Sequence, residues 1–490
     1  MILLFRIFRI TNLNRLWIGV FIVFGIIGCK KLVTVDAPLT SVNQANVYGN
    51  DASAIAVLTG IYTAMSTPGS VFTGSTGISF FSGLSADELT LYSGISNTSS
   101  WYSYYTNSLY STTKGTVGSD YWSPAYNYIY TCNAAIEGIS NSTAITVSIK
   151  QQLLGESYFM RAFIYFYLAN LFGDAPLITT TDYKTNESLS RAPKPQIYQQ
   201  VITDLKTAEG LLNASYLDGN LQVYSSGNVQ KVRPTKWAAM ALLARTYLYI
   251  KDWADAENES DSLINNPTFS LSSIGNVFLA NSSEAIWQLQ PINSELNTQD
   301  AWVFILPSSG PNANYPVYLS NQLLGKFEPG DLRRFNWIDS VIVGNDTFYY
   351  PYKYKSAAYG APLTEYLMVF RLGEQYLIRA EARAQQNDLT GAQADIDVIR
   401  ARSMLGNTTS GDYTSLLSSI LHERQVELFT EWGHRWLDLK RTSSVDSVMT
   451  YATPIKSAGL AWNSFQQLYP ILYTDILEDR NLIQNQGYGN

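Results

Sequence analysis

Histidine and cysteine are nearly missing, with two of each in 490 residues. His422-Glu423 begins like the helix of a zinc protease, but that motif needs a second histidine at 426, where Val426 stands. His434, the other histidine, is too isolated in sequence to build a metal site. Charge is scarce as well: 15% of residues are charged, 33 basic against 40 acidic. No basic stripe interrupts that balance, so nucleic acid is not an expected partner. A long apolar run is also lacking. Trp17 to Ile27 reaches only about half of the ~20 residues that a membrane-spanning helix requires. Catalytic signatures are absent in turn. There is no P-loop and no dinucleotide fingerprint, and Gly83-Leu84-Ser85-Ala86-Asp87 lacks the second glycine of a nucleophile elbow. Glu423, Glu427 and Glu431 share one helix face, but Arg424, Arg435, Lys440 and Arg441 lie close by and favour ion pairing within the fold. A carboxylate pair for glycoside hydrolysis is a matter of spatial separation, which spacing along the chain does not fix.

The amino terminus is better defined. Arg6, Arg9 and Arg15 precede the apolar run, and Gly28 supplies the small residue of a cleavage site. Ile26-Ile27-Gly28-Cys29 resembles a bacterial lipobox, in which cleavage before the cysteine leaves Cys29 to carry acyl chains. At about 0.8 kcal/mol per buried CH₂, several such chains hold a soluble domain on a membrane. The expected organisation is a leader over 1–28, a lipidated tether over 29–50 and a single domain over 51–490. A lipidated Cys29 leaves Cys132 without a disulfide partner. Cys132 follows Tyr128-Ile129-Tyr130-Thr131 and reads as a buried helical thiol.

What the chain has in abundance is aromatic surface: 34 tyrosines and 11 tryptophans. Helical spacing predicts helices over 52–65, with Asp51 as its cap, and over 121–139, 149–172, 197–212, 236–250, 253–265, 374–402, 416–430 and 435–441. Ala256 follows Ala244 by twelve residues across the turn Lys251-Asp252. Ala392 follows Ala380 at the same distance across Asn387-Asp388. Small residues at that offset resemble a tetratricopeptide hairpin, where two helices cross closely. Residues 66–118 and 267–362 carry no sustained periodicity. Irregular stretches of that length in a compact protein are usually functional.

Several segments together resemble the RagB/SusD family of outer-membrane nutrient-binding lipoproteins. They are Val35-Asp36-Ala37-Pro38 after Cys29, Arg161-Ala162 with Phe172-Gly173-Asp174-Ala175-Pro176-Leu177, Arg371-Leu372-Gly373-Glu374 running to Ala382, Glu423-Arg424 with Arg435-Trp436-Leu437-Asp438, and the closing Asn481 to Tyr488. The resemblance implies a mainly α fold: a tetratricopeptide-like α-solenoid with a long irregular, aromatic-rich region packed on one side. It implies a non-catalytic cell-surface protein that captures an oligosaccharide, or a peptide, and sits on a SusC-like TonB-dependent transporter of the outer membrane. No cofactor is implied. Lys30 follows the cysteine where an aspartate would signal retention at the inner membrane, so the sequence permits outer-membrane export. A surface glycoside hydrolase on a helical scaffold, and a helical-repeat lipoprotein that binds only proteins, are the alternatives.

Arg161, Arg371 and Arg435 are expected to anchor helix packing. Ligand contacts are expected from the two irregular regions, because a neutral sugar needs aromatic platforms with hydroxyl and amide partners. The candidates are Asp87, Trp101, Tyr102, Tyr104 and Asn107 in the first region, and Trp302, Tyr315 and Trp337 in the second. Trp101 leads because its neighbours are polar; Tyr105, Tyr318 and Tyr349 belong to the same two aromatic groups.

Overall fold

Helix α1 (Asp51–Ser66) opens the described chain and is capped by Asn50, whose side chain accepts from the Ser53 amide. The expected cap, Asp51, lies one residue inside the helix and instead accepts from the Thr146 amide and hydroxyl, each at 2.7 Å. The computed structural model describes residues 47–489 apart from 226 and 458, so the leader, Cys29 and most of the tether lie outside it. The compact unit runs from Tyr48 to Asn490. Its start departs from the expected tether at 29–50, because the Tyr48 ring is buried against Gly138. A Cβ on Gly138 would fall 2.1 Å from that ring, so the missing side chain makes the seat.

Short helices α2 (Ile78–Ser85) and α3 (Ser100–Tyr105) follow. The helical stack then runs through α4 (Trp122–Asn141), α5 (Val147–Phe172), α6 (Lys194–Leu211), α7 (Lys236–Ile250), α8 (Trp253–Ile264), α9 (Leu372–Gln385), α10 (Leu389–Arg402) and α11 (Tyr413–Glu427). Each helix of this stack packs on the next in chain order, α8 on α9 included. Helices α12 (His434–Arg441) and α13 (Val445–Lys456) return toward the loops.

The two twelve-residue alanine offsets mark two copies of one turn. Lys251 and Asn387 are left-handed, at φ 66° and 67°. The aspartate after each, Asp252 or Asp388, caps the next helix by accepting from the amide of Asp255 or Gly391. All four alanines are fully buried, and Ala380 and Ala392 share a cluster with Ile396, Leu416 and Ile420. The stack is therefore fastened by small side chains at close crossings, as the spacing predicts.

Buried arginines fasten it a second time. Arg161 of α5 forks onto Asp204 of α6 at 2.8 and 2.7 Å, and Arg245 of α7 onto Glu374 of α9 at 2.7 and 2.6 Å. Arg379 joins Asp395 across α9 and α10, and Arg424 joins Asp438 across α11 and α12. Planar two-point contacts of this kind fix orientation as well as distance.

The irregular region adds six strands that matter here: β1 (Leu89–Leu91), β2 (Ala285–Leu289), β3 (Val317–Leu319), β4 (Ile338–Val343), β5 (Asp346–Pro351) and β6 (Leu367–Arg371). They pair antiparallel in twos, β1 with β3, β2 with β6 and β4 with β5. Every residue of β2 and β6 is buried. Trp287 and Phe370 of this pair meet Phe159 and Phe163 of α5, and Trp432 packs edge-on to Phe163. Much of the aromatic abundance is thus spent joining loops to stack. Cys132 is fully buried on α4, and that burial pushes its thiol up to about 12.

Candidate functional site

Strands β1 and β3 sew the two irregular regions together, with Leu89 opposite Leu319, Thr90 opposite Tyr318 and Leu91 opposite Val317. Alternation decides which side chains face outward. The leucines and Val317 are buried, while Thr90 and Tyr318 are only half-buried. Above this ribbon opens a cleft of about 490 Å³, within the range of ligand sites. Tyr105 of α3 forms one wall, Ser320, Asn321 and Gln322 another, and Tyr451, Ile455 and Lys456 of α13 a third. Tyr451 is 72% exposed and Ile455 56%. They sit one helical turn apart at the mouth.

The floor carries the charges. Asp87 accepts from Arg435 Nε and Nη2, both at 2.7 Å. Burial opposes its ionisation, but the Arg435 guanidinium overcomes this and holds the carboxyl below its ordinary range. Lys456 donates to the carbonyls of Leu84 at 2.6 Å, Ser85 at 3.1 Å and Ala86, and lies 5.4 Å from the Tyr105 ring centre. Burial lowers its ammonium to about 7. Glu88, beside Asp87 in sequence, is sealed beneath the floor with no partner for Oε1 among the described residues, and burial raises its carboxyl to about 8.

The expected contact residues divide sharply. Asp87 lines the cleft, and each of its carboxylate oxygens accepts from Arg435. Tyr104 is buried, stacked at 4.2 Å on Phe81 and donating to Asp120; it has no face left for ligand. Asn107 is also interior. Its left-handed backbone (φ 56°) turns the chain after α3, its amide donates to the Ser85 carbonyl, and its side-chain oxygen accepts from Thr453. Asn107 therefore positions α13, the third wall, and does not present itself to ligand. Trp337 is 0% exposed, donates to the Ile274 carbonyl at 2.9 Å and packs edge-on to Phe278. The expected ligand contacts at Tyr104, Asn107 and Trp337 are thus corrected to packing.

Trp101 and Tyr102 remain half-buried on α3, Trp101 resting edge-on against Phe80 one turn before Tyr105. Trp302, 43% exposed, lies beside Tyr315 at 6.1 Å, and Tyr315 precedes β3 by two residues. None of these four is among the cleft-lining residues. Sequence reasoning missed the α13 wall, Asn321 and Gln322. The only signal for Tyr451 was a tyrosine and an isoleucine four residues apart.

The glutamate row is structural, with Glu423 and Glu427 on α11 and Glu431 beyond its end, where the expected helix face does not extend. Glu427 faces Arg371 at 2.6 Å, Arg333 at 3.0 Å and Arg402. Glu423 meets Arg333 at 2.5 Å, and Glu431 meets Arg371 at 2.8 Å and Lys353 at 2.5 Å. Oxygen and nitrogen atoms of Glu328, His422 and Glu423 converge, but Arg400 and Arg333 already engage both carboxylates.

Two family models match the chain: one described as starch-binding and associating with the outer membrane over residues 81–248, and one of the SusD family over 335–488. The chain belongs to the SusD-like family. A SusD-like protein of Formosa agariphila is 25% identical over 380 residues, 66% of this chain and 70% of its own length. The starch-binding protein SusD of Bacteroides thetaiotaomicron is 36% identical over 124 residues, 24% of this chain and 21% of its own. A SusD superfamily structure from Bacteroides vulgatus superposes with a TM-score of 0.73 at 20% identity, covering 90% of this chain and 99% of its own. A laminarin-binding SusD-like protein does so with a TM-score of 0.73 at 23% identity, covering 90% and 100%. These structural likenesses carry the fold. The matched SusD-like segments take in β1, α3 and Tyr105 in the first and α12 and α13 in the second.

Proposed function

We propose that this SusD-like protein binds a neutral oligosaccharide at the cell surface without cleaving it, in the cleft between the β1–β3 ribbon and α13. The observation that carries the reading is the lining itself. Tyr105, Tyr318 and Tyr451 offer rings, while Thr90, Asn321 and Gln322 offer uncharged donors and acceptors. A sugar presents an apolar C–H face and a hydroxyl rim, and aromatic rings with a polar tip suit both. The relatives described as starch-binding and laminarin-binding support a glycan ligand. Hydrolysis by the common route needs two carboxyl groups flanking the bond, and the lining supplies Asp87 alone, held by Arg435. Attachment through Cys29 and transfer of ligand to a SusC-like TonB-dependent transporter complete the proposal, supported by the lipobox and by the family description that places such proteins with the outer membrane.

Titration calorimetry of residues 30–490 against maltohexaose, laminarihexaose, xylohexaose and a peptide mixture tests it, with product analysis of the same samples. Saturable binding of one oligosaccharide without shortened products is the expected result. Release of shorter sugars moves the protein to the hydrolase class, and binding of peptides alone overturns the glycan assignment. In cells, Cys29→Ser should release the folded domain from the membrane fraction.

A further inference from the structure

A second cleft, of about 480 Å³, opens beside α1 and the segment leaving β2, and shares no lining residue with the first. Arg233 forms part of its wall. That side chain is 5% exposed, and its Nη1 donates to both oxygens of Glu156 at 2.8 and 2.6 Å while Nη2 donates to the Thr59 hydroxyl. Among the described residues these bonds leave the Nε hydrogen and one Nη2 hydrogen of the guanidinium without an acceptor. Either can donate to a ligand oxygen. Two half-buried rings, Tyr62 and Tyr224, line the same space above Val232 and Leu289, and the exposed Gln290 amide stands at the edge.

Charge narrows the ligand class. Glu156 neutralises Arg233, and the remaining ion in the wall is Asp218, whose carboxylate already accepts the amides of Asn220 and Gln222. The balance is one net negative charge, which disfavours an anion. Two tyrosine rings, an apolar base, the uncommitted Arg233 N–H groups and an uncharged amide fit a molecule with a C–H face and hydroxyl oxygens. We infer that this cleft is a second, independent site for a neutral saccharide, so that one chain holds two ligand segments. The inference rests on the glycan reading of the first cleft.

The test separates the two. Thr63 is exposed on α1 and lines the second cleft, so Thr63→Trp fills it without disturbing the interior. Binding stoichiometry of maltohexaose, laminarihexaose and xylohexaose is measured by calorimetry for wild type, Thr63→Trp, Tyr224→Ala and the first-cleft variant Tyr318→Ala, with circular dichroism confirming each fold. Two equivalents per wild-type chain are expected. Thr63→Trp should bind one, Tyr224→Ala should weaken the second equivalent by about tenfold, and Tyr318→Ala should leave that equivalent unchanged. One equivalent that Tyr318→Ala weakens and Thr63→Trp leaves intact overturns the second site and spares the first. One equivalent lost in Thr63→Trp alone supports the second site and overturns the assignment of the first. Absence of saccharide binding in the wild type overturns both.

Discussion

Arg371 and Tyr318 show how differently this protein uses polar groups in its scaffold and in its cleft. Arg371 is sealed, and all three of its nitrogens donate to Glu284, Glu427 and Glu431. Tyr318 is half-buried, steadied edge-on by Phe348 at 5.1 Å, and its hydroxyl has no partner among the described residues. Arg371 finds its acceptors inside the scaffold, whereas Tyr318 leaves a neutral hydroxyl open at the cleft. A charged motif in this chain therefore reports packing, and an uncharged aromatic one reports function only where its ring remains accessible.

The largest effect should come from breaking the sealed side. Arg371→Ala leaves three buried glutamates without a shared counter-charge and should cost about 3–5 kcal/mol of stability, read by denaturant unfolding. The same network should fail in acid. Burial opposes ionisation of Glu427, but Arg402, Arg371 and Arg333 overcome it and hold the carboxyl far below its ordinary 4.5. Its contribution is present above that value and is lost as pH falls through the depressed one. A wild-type melting temperature that stays level into strong acid would contradict the network.

Arg435→Ala probes the border between the two regions. It strands Asp87 beneath the cleft, and because the Arg435 side chain is 14% exposed the cost should be smaller, about 2–3 kcal/mol. Stability and affinity should fall together. Loss of affinity at an unchanged melting temperature would show that Arg435 touches ligand.

Glu88 supplies a subtler test with the opposite sign. Burial first, then the neighbouring Asp87, raises its carboxyl to about 8, against relief from Arg435, Lys353 and the Thr430 amide. The folded state holds that proton where the unfolded state has lost it, so this contribution is complete below about 4.5 and fades as pH rises to about 8. Glu88→Gln should therefore gain on wild type as pH rises from 5 to 8, in a pair of thermal-unfolding series. A constant difference between the two proteins would contradict the sealed carboxyl.

The stack was legible because its signals are local. Alanine offsets, a turn residue followed by aspartate, and helical spacing gave α7 and α8 nearly to the residue and put the turn between α9 and α10 at Asn387-Asp388. The fastening role of Arg161, Arg371 and Arg435 was legible too, although their partners were not, since Asp87 lies 348 positions from Arg435. The cleft was harder to read because it is assembled across distance. Thr90 meets Tyr318 only through strand pairing, and α13 carries Pro454 among serines and threonines, which hides its helical pattern. Trp337 misled for a physical reason. An indole needs one acceptor, and the Ile274 carbonyl supplies it inside the core, so a place in an irregular region did not imply exposure.

The central claim is that neutral aromatic groups of the first cleft, rather than the charged scaffold, hold the ligand. Calorimetry of Tyr318→Ala with the oligosaccharide that binds wild type, paired with its melting temperature, tests this most directly. The account predicts affinity lower by about 1–3 kcal/mol, roughly tenfold to a hundredfold, with the melting temperature unchanged. Unchanged affinity at the first-cleft equivalent, or affinity lost only in step with stability, would contradict it.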